Sequence, residues 1–261
     1  MPIVQNIALS RIRENRLALG LGVQISRGPA IGAIAAAAGF HWLFIDLEHG
    51  ATSLDQASTI SIAALSQGVT PIVRVCKDAL HEATRALDNG ALGIVVPHVD
   101  TAEEAAAVAR ALRFPPLGAR SFGGPAYAYG FRAPDPATAQ REINEQLLVC
   151  VMIETPEAVA NAEAIAAVPG VDVLMIGTSD LTASMGVPGQ IGHAEIQAAY
   201  ARLAQACARH GKVVGMGGVY DEHWARHYIG VGARFILGGS DHALLLAGLR
   251  ARAGFLSGLL E

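Results

Sequence analysis

The sequence predicts an α/β barrel of eight parallel strands, each followed by a helix, and three observations lead there. Short apolar, β-branched runs alternate with helical stretches at a period of roughly 25 residues, the mark of repeated βα units around a parallel sheet. The chain has 261 residues, and a closed (β/α)8 TIM barrel takes roughly 250. No linker or shift in composition divides it, so residues 1–261 read as a single domain.

A helix near Ile7–Asn15 precedes the first strand, Leu17–Ile25. An Ala-rich helix, about Ile31–Ala38, leads into Trp42–Asp46, a run apolar on both faces and therefore a buried parallel strand. Ser53 and Asp55 open a helix that runs to about Ser66 and stops at Gly68. Thr70–Val75 is a strand, and the helix Ala79–Asp88 ends at Asn89-Gly90. Gly93–Val99 is the fourth strand, with Asp100 and Thr101 capping a helix through Leu112. The alternation breaks once, from Phe114 to Gln146, a stretch rich in proline, glycine and aromatics. Such an irregular insertion before strand five reads as a lid, a binding loop or a subunit contact. The alternation then resumes with strand Leu147–Glu154, helix Pro156–Ala167, strand Val171–Gly177 and a short helix from Ser179. Helix Ala194–His210, strand Val213–Val219, helix Asp221–Ile229, strand Arg234–Gly238 and a last helix from Ser240 complete the count.

A hydrophobic content of 52% with 16% charged residues indicates a well-filled core, not disorder. A net charge of −4 with scattered arginines argues against a nucleic-acid partner. Cys76, Cys150 and Cys207 are far apart in apolar surroundings, which reads as three reduced thiols and argues against a structural zinc. The N-terminus lacks the apolar core of a secretory signal. The most membrane-like run, Pro29 to Ile45, is interrupted by Gly32, Gly39 and His41 and ends in Asp46. The expectation is a soluble, cytoplasmic protein.

In a parallel barrel the chemistry sits where the strands end. Strand two ends in Asp46, Glu48 and His49; strand three carries Arg74; strand five ends in Glu154; strand six runs into Gly177-Thr178-Ser179-Asp180. A helix cap or an ion pair explains any one of these charges, but that explanation has to be invoked independently four times. Glu154 and Asp180, hard donors on adjacent strands, suit Mg²⁺, Mn²⁺ or Co²⁺, which keep waters and accept substrate oxygens. The Gly177-Thr178-Ser179 turn opens a helix whose N–H groups can hold a substrate carboxylate. Arg74 offers a permanent charge for an oxyanion, and His49, with Asp46 to orient its ring, a general base. Together these describe enolisation of a 2-oxo acid. Glu48 reads as a supporting carboxylate or an ion-pair partner, and His98 as a residue that reaches the mouth or shapes a loop. His41, Trp42, Trp224 and Tyr228 read as packing or surface residues. Phe122, Tyr127, Tyr129 and Phe131 read as interface packing.

The segments Ala38–His49, Pro71–Arg74, Met152–Thr155 and Gly177–Leu181 resemble the HpcH/HpaI family of class II, metal-dependent pyruvate aldolases acting on 4-hydroxy-2-oxo acids. The resemblance spans nearly the whole chain in order. It implies a (β/α)8 barrel whose last helix is exchanged between subunits of a homohexamer built from dimers. It implies that Glu154 and Asp180 hold the metal, that Arg74 meets the keto or enolate oxygen and that His49 and Asp46 form an acid/base dyad. It also implies substrate-carboxylate contacts on the backbone around Gly177 to Asp180, with Thr178 and Ser179 between them. Three departures bear on substrate choice: Met152 replaces a common Gln, Val23 falls where an aromatic lines the substrate space, and Gly217 replaces an apolar pocket residue. They make hydroxypyruvate as donor, or a bulkier aldehyde, an expectation beside pyruvate. The rivals are a Schiff-base aldolase using Lys77, a citramalyl- or malyl-CoA-type lyase sharing the Glu/Asp pair, and a barrel that binds 2-oxo acids without turnover.

Overall fold

The computed structural model describes residues 3–124 and 127–259; Pro125 and Ala126 of the expected insertion, and the outermost residues of the expected domain, lie outside them. The described residues form eight strands in one closed barrel, ordered β1 to β8 as in the sequence. These are β1 (Ala18–Val23), β2 (Trp42–Asp46), β3 (Thr70–Arg74), β4 (Gly93–Val96), β5 (Leu148–Ile153), β6 (Val173–Gly177), β7 (Val213–Gly217) and β8 (Ala233–Ser240). Every neighbouring pair is parallel, including the closing β1–β8 pair.

The strand alternation sorts side chains into two cores. Residues of one parity, such as Trp42, Phe44, Ile72, Val95, Cys150, Met152, Met175 and Phe235, fill the lumen. Those of the other parity, such as Val23, Leu43, Ile45, Val73, Val151, Ile153 and Ile176, face the surrounding helices. The helix α1 (Ile7–Arg13) joins the lumen cluster through Ala8, Leu9 and Ile12 and so plugs the N-terminal end of the barrel. Above it Trp42 lies flat on Phe235, centroids 4.0 Å apart, and donates its indole N–H to the Ala18 carbonyl at 3.1 Å. Gly20 is required beside it, because a Cβ there would sit 2.1 Å from the Trp42 ring. With one end filled this way, the carboxyl ends of the strands form the only mouth that the described residues leave to the lumen.

The outer helices are α2 (Ala30–Ala37), α3 (Leu54–Ser66), α4 (Leu80–Asp88), α5 (Ala102–Leu112), α6 (Pro136–Gln146), α7 (Pro156–Ala160), α8 (Ala162–Ala166), α9 (Thr178–Ser184), α10 (Ala194–His210), α11 (Glu222–Val231) and α12 (Asp241–Ser257). The expected insertion is irregular only in its first part, since α6 occupies its end. Asp135 caps α6 through the N–H groups of Ala137 and Thr138, and Pro136 takes the first helical position, where a missing N–H costs nothing. The helix expected over Pro156–Ala167 is two short ones, broken at Asn161, whose amide donates to the Asp100 carbonyl at 2.8 Å. β4 stops at Val96, short of Val99, because His98 turns into the left-handed region with φ +54°.

α12 stands apart from the other helices. Among its described residues only Asp241 is buried, while Leu244, Leu245, Leu246, Leu249 and Phe255 are exposed. Among the described residues no helix is long and apolar enough to cross a membrane. Cys76, Cys150 and Cys207 are all free thiols.

Candidate active site

The lumen parity that places Trp42 and Phe44 inside also turns Asp46 inward, and Ile72 does the same for Arg74 one strand over. Arg74 meets Asp46 in a two-pronged pair, Nε to Oδ1 at 2.9 Å and Nη2 to Oδ2 at 2.6 Å. Its Nη1 lies 3.0 Å from Glu48 Oε2, and the guanidinium sits 4.9 Å over the Phe44 ring. Burial opposes the Arg74 charge, but the bonds and charge of Asp46, with Glu48 and Glu154 adding to them, carry its pKa above the ordinary value. Burial pushes the Asp46 carboxyl up, yet the Arg74 bonds and charge outweigh it and hold Asp46 below the usual carboxylate range.

The expected His49–Asp46 dyad takes a different form. Asp46 Oδ1 accepts the backbone N–H groups of Glu48 and His49 at 3.0 and 3.2 Å, and Oδ2 accepts Gln24 Nε2 at 3.2 Å. With Arg74 these contacts commit both oxygens, so Asp46 shapes the turn that carries His49 and does not hydrogen-bond its ring. The His49 side chain is 62% exposed at the mouth, with Nε2 3.9 Å from Glu48.

Glu154, two residues beyond Met152 on the same parity, is 2% exposed. Its Oε2 accepts the His98 backbone N–H at 2.8 Å and lies 3.0 Å from His98 Nδ1. Its Oε1 points at Gly177, where an added Cβ would lie only 2.5 Å away. Gly177 therefore leaves room for the carboxylate. Burial, helped by the charge of Asp180, raises the Glu154 pKa despite opposing contributions from His98 and Arg74. Asp180 is exposed in the first turn of α9, and no side chain caps that helix at Gly177. The Thr178 hydroxyl turns into the core against Tyr200 OH at 2.9 Å, which leaves only backbone at Thr178 for a ligand.

Among the described residues no cluster of three His, Cys, Asp or Glu is placed to hold a metal ion. The pair Glu154 and Asp180 nevertheless fits a hydrated divalent cation. Both donors are hard oxygens, Glu154 Oε1 takes part in none of the described hydrogen bonds, and Mg²⁺-type ions bind through one or two carboxylates with waters and substrate oxygens filling the rest.

A cavity of about 440 Å³ fills the mouth and is lined by His49, Arg74, Gly177, Thr178, Ser179 and Asp180, the sequence-derived residues of three different strand ends, while Glu154 of the fourth lies behind the wall at Gly177. Met152 and Gly217 line it too. Val23 does not: it is fully buried among the helix-facing residues, and the lining positions of β1 are Gly22 and Gln24. Parity alone separates these, since inward residues on β1 run Ala18, Gly20, Gly22, Gln24. Sequence reading missed Gln24 and undervalued His98, although both follow strands directly. It also missed Tyr220 and His242, which line the cavity. Lys77 is absent from the lining and is held by Glu104 at 2.7 Å.

The HpcH/HpaI aldolase/citrate lyase family profile matches residues 25–247, most of the chain. The chain belongs to the HpcH/HpaI family. It is 38% identical to a 4-hydroxy-4-methyl-2-oxoglutarate aldolase of Hapsidospora irregularis, over 99% of this chain and 97% of that one. It is 35% identical to a hydroxypyruvate/pyruvate aldolase of Pseudomonas aeruginosa, over 99% and 95%. Among solved structures, the HpcH/HpaI aldolase from Desulfitobacterium hafniense DCB-2 superposes with a TM-score of 0.89 at 28% identity, covering 95% of each chain. Like its HpcH/HpaI relatives, the protein is a carbon–carbon lyase of the aldolase type.

Proposed function

We propose that the protein is a divalent-metal-dependent class II pyruvate aldolase that reversibly cleaves 4-hydroxy-2-oxo acids to pyruvate, or hydroxypyruvate, and an aldehyde. The observation that carries this reading is a buried, fixed Arg74 lining the same cavity as Asp180, with the buried Glu154 carboxylate set directly behind the cavity wall at Gly177. Bound by Glu154 and Asp180, an Mg²⁺, Mn²⁺ or Co²⁺ ion would supply Lewis acidity toward the 2-oxo acid. The backbone N–H groups around Gly177, Thr178 and Ser179 at the uncapped start of α9 hold the substrate carboxylate. Arg74 has five N–H donors; two go to Asp46, and Nη1 lies at ion-pair distance from Glu48. The donors left over are available to the oxygen that becomes the enolate, since Arg74 lines the cavity. In cleavage the 4-hydroxyl loses its proton to His49, the C3–C4 bond breaks, and its electron pair enters the enolate that Arg74 stabilises. Protonation at C3 completes the 2-oxo acid. Asp46 acts by holding Arg74 and the His49 turn.

The names of the relatives support this reading, and the hydroxypyruvate/pyruvate aldolase among them supports hydroxypyruvate as a donor beside pyruvate. The exposed leucines of α12, beside an apolar groove of about 380 Å³ lined by Ile25, Ile31, Ile34 and Phe40, support a homo-oligomer of helix-exchanged dimers, a hexamer by family resemblance. Three free thiols support a cytoplasmic setting.

The test is metal removal. A chelator should abolish cleavage, and Mg²⁺, Mn²⁺ or Co²⁺ should restore it, while borohydride added with pyruvate leaves the protein mass unchanged. Chelator-resistant turnover with a reduced pyruvyl adduct on Lys77 would install the Schiff-base mechanism instead.

A further inference from the structure

We propose that His98 is a positioning residue for the metal-binding pair, fixing which oxygen of Glu154 is offered to the cation; this rests on the metal reading above. The argument begins with the backbone. His98 is one of three described non-glycine residues with positive φ, at +54°, a conformation that non-glycine L-residues rarely adopt. In that conformation its backbone N–H and its ring converge on one atom. The backbone N–H reaches Glu154 Oε2 at 2.8 Å and ring Nδ1 lies 3.0 Å from the same oxygen.

The consequence is an asymmetric carboxylate. Oε2 is engaged by the backbone N–H and the ring of His98, while Oε1 takes part in none of the described hydrogen bonds and faces the gap kept open by Gly177. A carboxylate presented through one free oxygen, with the other held by a backbone N–H and an adjoining imidazole, is how outer partners orient metal ligands and raise affinity. The ring's far side extends the frame. Nε2 lies 3.7 Å from Glu48 Oε1, and the other Glu48 oxygen lies 3.0 Å from Arg74 Nη1. One imidazole thus spans the carboxylate of the metal pair and the carboxylate that steadies the oxyanion-binding guanidinium, and it sets their separation.

Two substitutions isolate the ring from the backbone. His98→Gly accepts φ +54° without strain and keeps the N–H, losing only the ring contact. His98→Asn tolerates the same φ and returns an amide N–H near the place of Nδ1. Mn²⁺ titrated calorimetrically into metal-free protein should bind about 10- to 100-fold more weakly to His98→Gly than to the parent. His98→Asn should recover most of that loss, and the melting temperatures of the three metal-free proteins should agree. His98→Gly binding Mn²⁺ as tightly as the parent, or His98→Asn binding no better than His98→Gly, overturns the role of His98. Glu154→Gln separates the two levels. If it binds Mn²⁺ like the parent, or if the parent binds none, the metal reading fails and the positioning role fails with it. If Glu154→Gln loses binding while His98→Gly keeps it, the metal reading stands and the role of His98 alone falls.

Discussion

Arg74 illustrates how a charge is kept inside a barrel. Its side chain is 8% exposed, and Asp46, whose side chain is fully buried, returns two parallel bonds to it. A lysine ammonium keeps the charge but not the fork, so it can satisfy Asp46 or the substrate oxygen, not both. Arg74→Lys should therefore lower kcat/KM by at least about 100-fold, a loss of roughly 3 kcal/mol in transition-state stabilisation. Steady-state cleavage assays check this, and parental rates in the lysine variant would reduce Arg74 to a structural ion pair. His49 is the opposite case: exposed, unencumbered and at the mouth. His49→Ala should lose roughly 10²- to 10⁴-fold in cleavage rate, with Mn²⁺ and pyruvate affinity unchanged by calorimetry. Near-parental turnover would remove His49 from the proton path.

At the scale of elements, the exit turns of the strands decide the site, and two contacts test this. Gly177, the last residue of β6, is where Glu154 needs space. Gly177→Ala places a methyl 2.5 Å from Oε1 and, because the carboxyl is buried, displaces it. Mn²⁺ affinity and activity should fall together while the melting temperature changes little; an unaffected affinity would place the ion elsewhere. The second contact ties α12 to β1. Asp241 accepts the backbone N–H groups of Gln24, Ile25 and Ser26, the last at 2.7 Å, and Gln24 in turn donates to Asp46. Burial raises the Asp241 carboxyl, but the bonds from Ser26, Gln24 and Ile25 outweigh it and hold the pKa below the ordinary value. A depressed carboxylate stabilises the fold above its unfolded pKa, about 3.9, and that contribution disappears as pH falls through the lower folded value. Asp241→Asn should cost about 1.5–3 kcal/mol at neutral pH. Denaturant titrations should show the gap between variant and parent narrowing below about pH 4. A gap independent of pH would mean that shape, not charge, holds the turn.

At the scale of the molecule, α12 is the feature a lone barrel does not explain. A helix of seventeen residues that buries one of them gains almost nothing from tertiary packing. Leu245 and Leu249, 56% and 58% exposed, lie one turn apart and make one apolar stripe. Replacing both with Glu should shift the protein from an oligomer to a smaller species in sedimentation velocity, with the barrel's circular dichroism retained. An unchanged sedimentation coefficient would show that α12 takes no part in assembly.

The fold was legible because its signals are local. Strand and helix alternate in chain order, and a closed parallel barrel is built from neighbours in sequence, so β1 to β8 follow from periodicity and caps. The rule that chemistry lies at the carboxyl ends of strands also brought His49, Arg74, Gly177, Thr178, Ser179 and Asp180 to one cavity without coordinates. Asp46 and Glu154 followed by the same rule, and the structure turns both toward the lumen. What sequence alone did not decide depends on parity and on competition. Val23 and Gln24 differ by one residue, and in a strand one residue is the difference between the helix-facing core and the lumen. Asp46 had several partners within reach on paper. Only the packed barrel shows Arg74 taking both of its oxygens, because a buried carboxylate goes to the donor that offers charge and fork geometry together. His98 required the fold most of all: a left-handed turn after β4 is set by the groups it must satisfy across the barrel, and Glu154 is fifty-six residues away in sequence.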